Sequence, residues 1–237
     1  MKQAVIRFVN VMLGIMVATL LAINQTAISQ TKTMAEGPRE RQAEDKFSPN
    51  GKLTGDALND AISLTIQQGS PNIYGEELAI SFNRVQEAIN VLQRFDPGFG
   101  DQKIVLNDEE KKRYTKIGLS ISCEYCCGAK AIVFPNGEAA CGCAHSQAMR
   151  ALAAYLVQKH GSEFSDDEIL RELAMWKGLF FPKQMIQKMA TALQSGSFTP
   201  DVAALALGIN LPSYGGKVKN APLPSEFKNL PGMVGGC

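Results

Sequence analysis

Cys123-Glu124-Tyr125-Cys126-Cys127-Gly128, then Ala129 to Phe134, then Pro135-Asn136-Gly137-Glu138, and finally Ala139-Ala140-Cys141-Gly142-Cys143-Ala144-His145 form the stretch that decides the fold class. Ala131-Ile132-Val133-Phe134 is rich in β-forming side chains, and Asn136-Gly137 suits a turn that needs positive φ. The pattern predicts a small β-hairpin. Closing it draws together two chain ends that both carry cysteines.

Outward from this island the periodicity is helical. On the N-terminal side, Asp56 to Gln68 repeats Leu58, Ile62 and Ile66 at helical spacing. A second helix is predicted from Asn83 as N-cap to Phe95, with Val85, Ile89 and Leu92 on one face, stopped by Asp96, Pro97 and Gly98. Glu77 to Phe82 fits either a short strand or part of that helix. Asn107 and Glu110 make a capping box for a helix running toward Ile117. On the C-terminal side, His145, Met149, Leu152 and Leu156 form one stripe of a helix that ends at Gly161. Ser165 and Glu168 form another capping box, leading Ile169, Leu173, Trp176 and Phe180 to Pro182. Met185, Ile186, Met189 and Leu193 continue the pattern, and Thr199-Pro200 opens a last short helix. The expected fold is α+β and mostly α-helical, with a small zinc-ribbon-like hairpin packed on a bundle of short helices.

The flanks read differently. Residues 1–29 carry Lys2 and Arg7 without an acid, then an apolar run from Phe8 to Ile23, then Asn24-Gln25-Thr26. This predicts an export signal cut before Gln30, or an uncleaved membrane anchor with its positive end inside. Either places the remainder outside the cytoplasm. Residues 30–55 are polar, mixed in charge and without apolar periodicity, which predicts a disordered linker. The globular domain is expected over 56–207. From 208 to 237, ten Gly or Pro residues exclude regular structure but not an ordered wrap over the surface.

Charge narrows the function classes. Twenty-four basic and 23 acidic residues give a net +1, and without Lys2 and Arg7 the balance is 22 against 23. No field of that size recruits nucleic acid. Cysteine is more informative: five of the six fall between Cys123 and Cys143. A disulfide framework would spread them along the chain, so the clustering points to a site. Cys123, Cys126, Cys127, Cys141, Cys143 and His145 are the candidate metal ligands, a surplus over the four positions of a tetrahedral ion. Cys237, behind Gly235 and Gly236 at the chain end, is a further candidate. Thiolates favour zinc or monovalent copper, and copper tolerates shared and clustered sulfurs. An iron–sulfur cluster ranks lower, because an exported chain would have to carry it preassembled.

The Cys123-x-x-Cys126 pair with its nearby glycine resembles a zinc knuckle. Cys141-Gly142-Cys143-Ala144-His145-Ser146 resembles the latter half of the Pro-Cys-Tyr-Cys-Gly-Cys motif of exported bacterial proteins. That resemblance implies metal binding outside the cytoplasm. It departs where Glu138, Ala139 and Ala140 stand in place of Pro, Cys and Tyr, so the missing thiol has to come from Cys123, Cys126 or Cys127.

Plainer readings exist for the same residues. An oxidising exterior favours disulfides among the cysteines. Thiol–disulfide exchange through Cys123 and Cys126 is the rival function, although a reactive pair of this spacing normally opens a helix and here Gly128 and a β-rich run follow. A third reading makes the metal purely structural and the function a protein interaction. His145 equally suits a core position, His160 a helix C-terminus, and Met185 and Met189 core filling. No hydrolytic constellation stands out, so an enzyme is not the expectation.

Overall fold

The computed structural model describes residues 49, 51–214 and 230–236. Residues 1–29, predicted as an export signal or anchor, most of the predicted linker and Cys237 lie outside the described residues. Among the described residues there are eight α-helices: α1 (Ala57–Thr65), α2 (Tyr74–Glu77), α3 (Val85–Leu92), α4 (Asp108–Leu119), α5 (Ala144–Lys159), α6 (Asp166–Phe180), α7 (Pro182–Ser195) and α8 (Pro200–Leu205). None of the described helices is long and apolar enough to cross a membrane.

The helix ends follow their local chemistry. Asn107 and Ser165 each accept the N–H of the third helical residue, Glu110 and Glu168, whose carboxylates reach back to the caps, so both capping boxes form. Asp56 caps α1, and Pro182 and Pro200 occupy first-turn positions of α7 and α8. The second predicted helix is shorter than expected. Arg84, not Asn83, is its cap, and after Leu92 the chain tightens into a 3₁₀ turn over Gln93–Phe95. Glu77 to Phe82 is neither strand nor part of α3: the chain leaves α2 through Ala79 at φ 52° and turns back.

Two helices form the centre of the core. His145, Met149, Leu152 and Leu156 of α5 are all buried, as are Ile169, Leu173, Trp176 and Phe180 of α6. Around them, α3 and α4 pack on α5, α8 packs on α6, and α7 lies against α1 and α6. The expected stripe on α1 is rotated: Ala61 and Leu64 are buried, while Leu58, Ile62 and Ile66 are only partly covered.

Among the described residues there is no named strand, and the predicted hairpin is reduced to two isolated antiparallel bridges, Cys123 with Ala129 and Val133 with Ala139. The turn itself forms. Gly137 sits at φ 82°, and Phe134 N donates to Glu138 O at 2.8 Å. It does not grow into a longer ladder: Ile132 O accepts from Ala140 N at 3.2 Å, but the Ile132 N–H turns to the end of α4, donating to Gly118 O and Ile121 O at 3.1 Å each. Beyond Ala140 the chain must also bend to enter α5.

His160 ends α5 between two carboxylates, with Nε2 2.9 Å from Glu77 and Nδ1 2.9 Å from Glu163. The rings of Tyr155 and Phe164 flank it. Burial lowers its pKa, but hydrogen bonds to Glu163 and Glu77 outweigh that and raise it above the ordinary imidazole value. Hydrogen bonds from Tyr155 and His160 hold Glu77 below its ordinary value. A raised imidazole contributes stability that is present below its unfolded pKa and lost as pH climbs through the folded one. His160→Gln is therefore expected to lower the melting temperature at pH 6 and to leave it nearly unchanged at pH 9. Half-exposed partners keep the effect under about 1 kcal/mol.

Candidate metal centre

The island occupies the connection between α4 and α5. Its first limb is a tight knuckle: Cys123 N donates to Ala129 O at 3.0 Å, and Cys127 N donates to Cys123 O at 3.3 Å. Gly128 closes the knuckle at φ 72°, a backbone conformation that side chains with a Cβ resist. The second limb ends in Cys143, which is the N-cap of α5 and accepts the Ser146 N–H on its sulfur at 3.4 Å. The five described cysteines are free thiols, with Cys123 buried and Cys127 exposed.

Folding brings the two limbs together. The sulfurs of Cys123, Cys127, Cys141 and Cys143 all lie within 4.8 Å of one another. Cys123 and Cys143 are 3.6 Å apart. Zinc–sulfur bonds of about 2.3 Å in a tetrahedron put ligand sulfurs about 3.8 Å apart, so this edge already has the spacing of a filled site. Cys126, Cys143 and His145 form a second convergent set. The candidates from 123 to 145 are thus all gathered, but in two groups rather than one. Cys237 lies outside the described residues.

The protonation pattern is uneven. A hydrogen bond from Cys123 outweighs burial and, with His145 and the Ser146 N–H, draws the Cys143 thiol well below its ordinary pKa. The hydrogen bond to Cys143, then burial, drives Cys123 upward. Burial, followed by the hydrogen bond to Cys127, pushes Cys141 up to about 12. Cys143 is thus the more easily ionised thiol, while Cys123 and Cys141 favour protons that a metal ion would displace.

His145 is fully buried, and its ring lies 5.0 Å from the rings of both Phe180 and Phe181. Its Nε2 is 2.8 Å from Val234 O. A carbonyl can only accept, so Nε2 carries a proton and Nδ1 is the nitrogen left for the cysteines. Val234 is held in turn by its own N–H, which donates to Phe180 O at 2.8 Å, and Gly236 N donates to Gln86 at 3.0 Å. Residues 230–236 of the C-terminal tail are thus held against α6 and α3, and they orient the imidazole.

Two charge networks fix the limbs, the first of them fully buried. Arg150 on α5 forms a bidentate pair with Asp96, both contacts 2.8 Å, with each side chain fully buried. Its remaining guanidinium nitrogen donates to Cys141 O at 2.8 Å, Ser146 Oγ at 2.8 Å and Ile132 O at 3.3 Å. On the first limb, Glu124 accepts from Lys177 at 3.0 Å and from Lys188 at 2.8 Å, and both lysines also reach Asp201. Burial raises Glu124, but the bonds from the lysines outweigh it and hold the carboxyl low. None of these residues stood out in the sequence. The available signal was an arginine, Arg150, within the apolar run of α5 and a lysine, Lys177, beside Trp176. Comparison with known families, curated proteins and solved structures gives no match.

Proposed function

We propose that this chain binds a soft metal ion, zinc or monovalent copper, through its clustered thiolates and passes it on. The carrying observation is the convergence of four cysteine sulfurs, from limbs 14 or more residues apart in sequence, within 4.8 Å of one another. Soft sulfur donors select these ions over calcium or magnesium. The apolar leader at 8–23 and the resemblance of Cys141–Ser146 to the exported Pro-Cys-Tyr-Cys-Gly-Cys proteins support a site of action outside the cytoplasm, on a secreted or membrane-tethered chain. In this reading the zinc-knuckle likeness of the first limb is functional, and Cys237 is a further donor from the chain end. The expected result for protein purified without oxygen is zinc or copper retained at one ion per chain or more by elemental analysis. Metal-free protein that takes up neither ion at stoichiometric level would contradict the reading.

A second reading is favoured by one observation. Cys143 caps the 16-residue helix α5 with a lowered thiol, and Cys123 lies 3.6 Å from it. That pair suits thiol–disulfide exchange better than Cys123 with Cys126, because a helix N-terminus stabilises a thiolate. Turnover of a disulfide substrate by metal-free protein, lost in Cys123→Ser, would establish it.

A further inference from the structure

The centre holds more donors than one ion uses, and they are sorted. Cys123, Cys127, Cys141 and Cys143 complete one tetrahedral set, and Cys126, Cys143 and His145 form another. Cys143 belongs to both. We propose that Cys143 Sγ bridges two ions: one is enclosed by the four sulfurs, and the second is held by Cys126 Sγ, Cys143 Sγ and His145 Nδ1. This deepens the soft-metal reading and rests on it.

Three features carry the proposal. A thiolate sulfur has lone pairs for two soft ions, and Cys143 Sγ is the donor common to both sets, 3.6 Å from Cys123 Sγ and capping the 16-residue α5 at an N-terminus that favours negative charge. The imidazole is oriented as metal-ligating histidines are: one nitrogen donates to a fixed backbone carbonyl, and the other faces the donor cluster. In the metal-free state His145 hydrogen-bonds Cys143. On loading, the ion replaces that hydrogen bond between sulfur and nitrogen, and the protons of the other ligand thiols leave to solvent. Charge is the third. Four thiolates around a single divalent ion leave two negative charges in a half-buried pocket, whereas adding Cys126 with a second divalent ion leaves one, which desolvation penalises less.

The two positions differ in what they can do. Four protein sulfurs close the first, as in structural sites. Three protein donors leave the second with an open position, which an incoming thiolate of a donor or acceptor can occupy. The second ion is the exchangeable cargo, and the first holds the limbs in place.

Native mass spectrometry of the reduced, full-length chain loaded anaerobically with cadmium as the probe tests this, together with ¹¹³Cd NMR. Wild type is expected to hold two ions, giving two resonances split by cadmium–cadmium coupling through a shared sulfur. Cys126→Ser, a change at a half-buried position, and His145→Gln should each hold one. Two ions retained in Cys126→Ser, or a single ion in wild type, would overturn the bridged pair while leaving metal binding intact. No ion in wild type would instead remove the metal-binding reading itself.

Discussion

Arg150→Met is expected to destabilise the fold by about 3–5 kcal/mol, the cost of leaving one member of a buried ion pair uncompensated. Asp96 would remain fully buried and lose both of its guanidinium contacts. The Cys141 and Ile132 carbonyls would also lose the donor they share, so the second cysteine limb should loosen along with the core. Urea denaturation of the metal-free protein measures the first effect. Replacing Asp96 with Leu in the same chain should recover a large part of the loss, because an apolar pair of similar volume has no charge to strand. A single variant as stable as wild type would mean that Arg150 does not hold this limb.

Cys143→Ser should have the largest effect on metal affinity of any single cysteine change, because both ligand sets use its sulfur. Structural zinc binding is worth about 10–16 kcal/mol over four ligands, so losing one donor predicts a fall of about 100- to 1,000-fold, measured by competition with a chelator. The variant separates ligation from folding. Serine is a favoured N-cap and can accept the Ser146 N–H that Cys143 now accepts, so α5 and the metal-free stability should survive. Cys127→Ser, at an exposed position belonging to one set only, should weaken binding less. Equal losses for the two variants would argue against a shared sulfur.

The helices were legible because their signals are local. Capping boxes at Asn107 and Ser165, and stripes such as His145-Met149-Leu152-Leu156, depend on residues within a turn or two of each other. The hairpin was legible only at its turn. Whether the Ile132 N–H points across the loop or to Gly118 and Ile121 depends on where α4 ends, and nothing within the island encodes that. The cysteines announced a site, but not its division into two sets, which follows from Cys143 lying at the start of α5. Arg150, Asp96, Lys177, Glu124 and Asp201 escaped notice because each reads as a solvated charge until its partner, at least 13 residues away, is known. The role of Val234 in orienting His145 across 89 residues was equally hidden.

X-ray absorption at the zinc or copper edge, on protein isolated without oxygen, tests the central claim most directly. A first shell dominated by sulfur, at about 2.3 Å for zinc, is the expected result. A shell of oxygen and nitrogen alone would contradict it, because the ion would then be bound somewhere other than between the two cysteine limbs.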